Sequence, residues 1–217
     1  MNFEQKRRQL VEFLKGSGAI KSTAVEIAFL KVKRELFLGK WMEKDAYLDT
    51  ALPIGSGQTI SQPTTIAVML ELLEAGKGMN VLEVGSGSGY VAALLSEIVE
   101  SNGRVTGMEL EEELIGQSKK NLKKQGCKNV EIVKGDGSMG SKEKAPFDRI
   151  LVSAACPFVP KPLFDQLKEG GRIVAPVGDK FTQAMQTLKK KNGRPLKEQY
   201  LESYFVFVPL KGEHGFR

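Results

Sequence analysis

A single histidine stands in this 217-residue sequence, His214, close to the end of the chain. A Ser-His-Asp hydrolase would have His214 as its only base, which argues against that chemistry. A histidine-ligated zinc centre is disfavoured for the same reason, and no metal is expected. Cysteine is nearly as scarce. Cys127 and Cys156 are not spaced as a C-x-x-C pair, so they read as reduced thiols rather than as a disulfide scaffold. Long apolar runs are missing too, and none reaches the ~20 residues of a membrane span. Residues 1–15 mix charge with apolar positions and lack a signal-peptide core. A cytoplasmic protein with no membrane partner is expected.

What is present is ordinary in bulk. Apolar residues make up 41% and charged residues 27%, the range of soluble globular proteins. The length suits one domain that buries about 70% of its unfolded surface. Net charge is +6, with basic clusters at Lys6-Arg7-Arg8, at Lys119-Lys120 with Lys123-Lys124, and at Lys189-Lys190-Lys191. The clusters are scattered and lack the aromatic interleaving of a single-strand binder. They read as a solvated surface that favours anionic partners, with no specific nucleic acid.

The organising stretch is Val81-Leu-Glu-Val-Gly85-Ser-Gly87-Ser-Gly89-Tyr90. An apolar run predicts a buried parallel strand, three alternate glycines a turn, and residues 90–99 a helix. Strand, glycine turn and helix form a small-molecule site at the carboxyl end of a strand. Upstream, helical spacing predicts helices over residues 2–15 and from Ser22 onward, then over 63–73, with an irregular stretch at 37–63. Downstream, strands are predicted at 104–109, 130–133, 147–153 and 172–177, a long helix at 111–125 and a short one at 162–168. Further strands are read at 181–188 and 198–210, around a turn at Asn192-Gly193. The expected fold is α/β: a doubly wound, mostly parallel sheet of about seven strands with helices on both faces. An N-terminal helical extension and a C-terminal antiparallel hairpin complete it. One domain is expected over 1–217, with 1–79 on the substrate side, 80–178 as the ligand-binding core and 179–217 as the closing strands.

A dinucleotide fingerprint needs Gly or Ala at its sixth position, where this chain has Tyr90. The pattern Glu83-x-Gly85-x-Gly87-x-Gly89 instead resembles the first motif of class I S-adenosylmethionine-dependent methyltransferases. Glu109 ends the second strand, where an acid can accept both ribose hydroxyls. Asp136, in Gly135-Asp-Gly137, stands where an acid can meet the adenine amine. A solvated loop acid is the plain alternative for either one alone; acids at successive strand ends favour the cofactor. The cofactor residues expected are Gln58, Glu83, Val84, Gly85, Ser86, Gly87, Gly89, Glu109, Leu110, Gly135, Asp136 and Gly137. S-adenosyl-L-homocysteine would be the product.

The acceptor is read from Asp49-x-Ala-Leu-Pro53-Ile-Gly55-x-Gly57-Gln-Thr59-Ile-Ser61-Gln-Pro63. This string resembles the N-terminal signature of protein-L-isoaspartate O-methyltransferases. The resemblance extends through Ala145-Pro-Phe-Asp148, Ser153-Ala-Ala155 and Gln166 to Arg172, so it covers most of residues 47–178. It implies methylation of the α-carboxylate of isoaspartyl residues in damaged proteins, by a monomer. The ester then collapses to a succinimide that partly reopens to normal aspartate. A carboxylate with pKa near ~4 is already ionised and needs no general base. Ser61 and Thr59 are the expected catalytic residues, and Ile60 and Ser61 the substrate contacts. Ser61 also reads as the N-cap of the helix near Pro63, and Asp49 as either a loop brace or a peptide contact. The chain departs from the family pattern at Lys33, Thr64 and Ser86. Other readings are a methyltransferase for a small-molecule or RNA acceptor, and a cofactor-binding homologue without catalysis.

Overall fold

The computed structural model describes residues 1–216. Asn2 caps the first helix, α1 (Phe3–Gly16), through a reciprocal pair. Its side chain accepts the Gln5 amide at 2.9 Å, and the Gln5 side chain accepts the Asn2 amide at 3.1 Å. Ser22 caps α2 (Thr23–Lys31), as its position before the apolar run predicts. Glu71 accepts the amides of Lys21 and Ser22, at 2.9 and 2.8 Å, and so ties that cap to α3 (Pro63–Leu73).

The stretch read as irregular has more order than its sequence announces. It follows one 3-10 turn at Arg34–Phe37, holds a second at Glu43–Asp45, and then forms a hairpin, β1 (Leu52–Gly55) with β2 (Gln58–Ile60). The two loop residues, Ser56 and Gly57, both have positive φ, 50° and 70°. Two left-handed residues in succession match the right-handed twist of a tight hairpin.

The sheet contains β3 (Asn80–Val84), β4 (Arg104–Glu109), β5 (Val130–Lys134), β6 (Phe147–Val152), β7 (Leu167–Gly178), β8 (Gln183–Lys191) and β9 (Arg194–Phe205). Their order is β5-β4-β3-β6-β7-β8-β9. Pairings are parallel from β5 across to β7, and antiparallel from β7 to β8 and from β8 to β9. The closing strands thus lie in chain order. The strand order reverses at β3, and the crevice beyond the carboxyl ends at such a switch is where open α/β sheets bind ligands.

Side chains alternate across the sheet, so one strand feeds two cores. Val81 joins a cluster with residues of α1, α2, α3, α4 (Tyr90–Val99) and α5 (Glu112–Gln125). Leu82 and Val84 join a second cluster with Leu163 of α6 (Lys161–Asp165). Among the described residues, α3, α4 and α5 cover one face, with α1 and α2 packed on those helices, and the short α6 covers the other.

Three expected boundaries move. The helix read at 162–168 is only Lys161–Asp165, and β7 has already begun at Leu167, so Gly170-Gly171 sits inside a strand. β8 runs on to Lys191, and β9 starts at Arg194 and ends at Phe205. The Asn192-Gly193 turn has positive φ at both residues and lets the two strands pair to their ends. Among the described residues, no helix is long and apolar enough to cross a membrane. No group of three or more His, Cys, Asp or Glu among them could hold a metal.

Candidate active site

The turn after β3 is built from left-handed glycines: Gly85 at φ 82°, Gly87 at 52° and Gly89 at 89°. Residues with a Cβ rarely adopt these angles. The amides of Gly85 and Ser86 reach back to the Met108 carbonyl, at 2.9 and 3.0 Å, which pins the turn to the end of β4. A Cβ on Gly87 would stand 3.1 Å from Ile54 Cδ1, so the β1–β2 hairpin rests on the turn.

Glu109 locks this arrangement. Its Oε2 accepts the Gly87 amide at 2.7 Å, and its Oε1 accepts the amides of Leu110 and Glu111 at 2.8 and 3.0 Å. An ionised carboxylate offers about four acceptor directions. One direction, on Oε2, is left for a ligand hydroxyl. Accepting both hydroxyls of a ribose requires one backbone amide to share or let go.

Glu83 sits differently. It shares a face with Val81, pointing toward the helices, and is only 1% exposed. Burial pushes its carboxyl up to about 8, against the opposing hydrogen bond from the Ser153 hydroxyl; nearby Glu109 adds to the rise. Its second oxygen, Oε2, is buried without a partner. The folded chain therefore holds a proton at Glu83 that the unfolded chain gives up near the ordinary carboxylate value. Between those values the native state binds more protons, so stability falls as pH rises through the window and levels off above about 8. Glu83→Gln should flatten this slope and be more stable than the parent at pH 9, by roughly 2–4 kcal/mol, and so melt higher. Thermal unfolding at pH 5 and pH 9 measures it, and parallel losses in both proteins would refute the assignment.

The far wall comes from the end of the chain. Ala155 and Pro209 form a parallel bridge, and the Leu210 amide donates to the Ala155 carbonyl at 2.7 Å. Asp136 anchors the residues just beyond this bridge. Its Oδ1 accepts the Ser138 amide and hydroxyl at 2.9 and 2.7 Å, and its Oδ2 accepts the Glu213 amide at 2.8 Å. Burial would raise this carboxyl, but the bonds from Glu213 and Ser138 outweigh it, and the net shift is downward. Lys211 pairs with Glu111 at 2.7 Å and closes the strap.

A cavity results between turn, strap and hairpin. It is lined by Val84, Gly85, Gly87, Glu109, Leu110, Gly135 and Gly137, together with Gln58 and Thr59 of β2 and Val208 to Lys211 of the strap. Bare glycine backbone, the Glu109 carboxylate beside a Glu111 already paired with Lys211, and the apolar walls of Met108 and Leu110 suit a nucleoside-bearing cofactor. A Cβ on Gly137 would lie 2.6 Å from Val84 Cγ1, so the cradle depends on that glycine.

The acceptor side adjoins it. A groove of about 480 Å³ is lined by Thr59, Ser61, Gln62, Thr64 and Thr65 on one flank and Phe205 to Val208 on the other. Thr59 and Val208 line both spaces. Ser61 is not the helix cap: Gln62 occupies that position without a side-chain bond. Asp49 does the capping from fifteen residues away. It accepts the Thr64 amide at 2.8 Å, the Thr64 hydroxyl at 2.7 Å and the Gln62 side chain at 2.9 Å. Thr64, where the family pattern differs, is thereby a helix-start brace, and Asp49 a loop brace. The Ser61 hydroxyl has no hydrogen bond among the described residues.

Of the expected site residues, the structure gathers Gln58, Thr59, Val84, Gly85, Gly87, Glu109, Leu110, Gly135 and Gly137 at the first cavity and Thr59 and Ser61 at the second. Four do not line the first cavity. Glu83 faces the helix layer, Ser86 is 5% exposed with an unpartnered hydroxyl, Gly89 starts α4, and Asp136 holds the strap. Ile60 is 4% exposed in the core, not in the groove. Sequence reasoning missed Met108, Glu111, Ser153, Ala154 and the strap residues Val208 to Lys211. No local signal marks the strap, because it reaches the site through a long-range bridge.

Known proteins are similar to this chain over nearly its whole length. The family model for protein-L-isoaspartate(D-aspartate) O-methyltransferase matches residues 5–215. A protein-L-isoaspartate O-methyltransferase of Pyrococcus horikoshii is 46% identical over 215 residues, covering 98% of this chain and 96% of its own. One from Methanococcus maripaludis is 50% identical over 199 residues, covering 92% of each. A solved protein-L-isoaspartate O-methyltransferase superposes with TM-score 0.88 at 35% identity, over 96% of this chain and 67% of that one. A Plasmodium falciparum structure described as a putative enzyme of the same kind, in complex with S-adenosyl-L-homocysteine, gives 0.83 at 29% identity, over 97% and 99%. Fold, glycine turn and full-length similarity agree: the chain belongs to the protein-L-isoaspartate(D-aspartate) O-methyltransferase family.

Proposed function

We propose that the two adjoining spaces are the donor and acceptor halves of one methyl-transfer site, with Thr59 and Val208 as their shared wall. The enzyme methylates the free carboxylate of L-isoaspartyl residues in damaged polypeptides and uses S-adenosylmethionine. That cofactor supplies a methyl group on a positively charged sulfur. Glu109, the glycine turn and the Gly135 to Gly137 segment would hold it. Ser61 would donate its hydroxyl to the acceptor carboxylate, and Thr59 would share that task from the common wall.

The groove's chemistry supports this reading. None of its lining residues is a base: they are Ala51, four hydroxyl residues, Gln62, Val68 and the 205–208 segment. An acceptor that must lose a proton finds no partner there. An acceptor already ionised needs only to be placed, and placement alone can supply a large part of a rate enhancement. The same reading takes the chain to act in the cytoplasm as a monomer, with isoaspartyl proteins and peptides as partners and no nucleic acid.

The test is a pair of peptides identical but for an isoaspartyl or an aspartyl residue. Base-labile methyl ester is expected on the first alone. Equal labelling of both, or of neither, refutes the reading. Ser61→Ala should lower kcat on the isoaspartyl peptide about tenfold, the scale of one lost hydrogen bond, with cofactor affinity kept.

A further inference from the structure

Arg34 is the largest fully buried side chain among the described residues, at 0% exposed, and no carboxylate among them pairs with it. Burial lowers its pKa, offset in part by Tyr90, Tyr47 and Asp49. A guanidinium out of water is costly unless its donors are used. Its Nε has no partner among the described residues. Its other contacts explain why the charge is kept. Nη1 donates to the carbonyl of Ser61 at 3.1 Å, and Nη2 to the carbonyl of Thr50 at 3.3 Å. The guanidinium carbon lies 5.2 Å from the ring centroid of Tyr90, a cation–π distance.

These three partners are the parts that must be held in register. Thr50 precedes β1 and Ser61 follows β2, so one fork grips both ends of the hairpin that carries Thr59. Tyr90 opens α4 directly after Gly89 and is 2% exposed, wedged edge-on against Phe37 and Phe29. Its backbone continues directly from the glycine turn. We infer that Arg34 is a positioning residue that fixes the Ser61–Thr59 segment relative to the donor turn. It never touches substrate itself. This role rests on the acceptor function assigned to Ser61 and Thr59. A planar fork with several fixed donors can do this, whereas an ammonium is a point charge that cannot span both carbonyls and stack on the ring.

Arg34→Lys keeps charge and length and removes the fork. The test compares it with the parent, both assayed well below their own melting points and normalised to sites that bind S-adenosyl-L-homocysteine. Expected is a kcat on the isoaspartyl peptide about fivefold lower, with cofactor Kd within twofold of the parent. Amide hydrogen exchange over residues 52–61 should be at least tenfold faster, and that over 85–89 unchanged. A merely structural role would lower the melting point and leave per-site kcat and local exchange alone, which would overturn the inference. Should Arg34→Lys not fold, Tyr90→Leu decides by the same readouts, because it removes the ring and keeps the fork. Unchanged kcat and exchange in that variant would be equally decisive against it. The exchange measurement needs no substrate. Failure of the parent on the isoaspartyl peptide would therefore strike the assigned reaction, and failure of the exchange prediction would strike Arg34.

Discussion

Glu109→Ala should weaken S-adenosylmethionine binding about a hundredfold and destabilise the apo chain by about 3 kcal/mol. Both effects come from one carboxylate. In the protein alone it satisfies the amides of Gly87, Leu110 and Glu111. Without it, three half-buried N–H groups lose a charged acceptor, and the glycine turn loses one of its ties to β4. Each such loss costs about 1–3 kcal/mol, less where water or a shifted backbone can answer. The affinity loss adds the missing acceptor on Oε2 to a turn that is no longer preformed. Glu109→Gln separates the two. Its amide oxygen can keep some N–H bonds, so stability should recover more than affinity. Calorimetric titration and thermal unfolding of both variants give the answer. Equal affinity in parent and alanine variant would remove Glu109 from the cofactor site.

Gly212→Ala should weaken cofactor binding about thirtyfold with little change in the melting point. A Cβ there would stand 2.0 Å from Asp136 Oδ1, and the residue sits at φ 130°, where side chains are strained. The strap cannot yield by a small amount. Either it or the Asp136 carboxylate must shift, which releases the Glu213 amide and loosens, beside it, the His214 amide on the Ser138 hydroxyl at 3.1 Å. The cavity then loses the wall from Val208 to Lys211. Few core residues lie beyond Leu210, so global stability should barely register the change. A large fall in melting point with unaltered affinity would show that the strap serves the fold rather than the ligand. Asp136→Ala should act in the same direction and more weakly, since it removes the anchor without a clash.

Much of the fold and part of the site are legible in the chain, for local reasons. The glycine turn, the parallel strands and α1 to α5 follow from spacing that each segment carries within itself. Glu109 is visible because it ends a strand next to the glycine turn, with a second acid at the following strand end. The expectations that the fold relocates share a different cause. Motif position marks Glu83 as a ligand, yet alternation along β3 already sets it on the face of Val81, toward the helices. The same motif logic places Asp136 on the cofactor, but the partner that claims it, Glu213, is 77 residues away. The β1–β2 turn escapes notice because Ser56 is not a residue that advertises positive φ. Ser61 looks like a cap in the sequence, and Asp49, also distant, does that work. Most of the concealed structure is carried by contacts between remote segments, where a residue's chemistry is known and its partner is not.

The strap also bears on timing. A wall that completes the donor cavity stands in the way of the spent cofactor. S-adenosyl-L-homocysteine lacks the methyl group and its charge but keeps the nucleoside that Glu109 and the glycine cradle would hold. Opening of the Asp136–Glu213 and Lys211–Glu111 contacts would widen its way out. Gating segments of this kind commonly limit turnover in place of the bond-making step. Damaged chains would then be esterified in a fast first round and more slowly afterwards. The pace of repair would be set at the carboxyl-terminal strap, which meets the acceptor groove only through Val208.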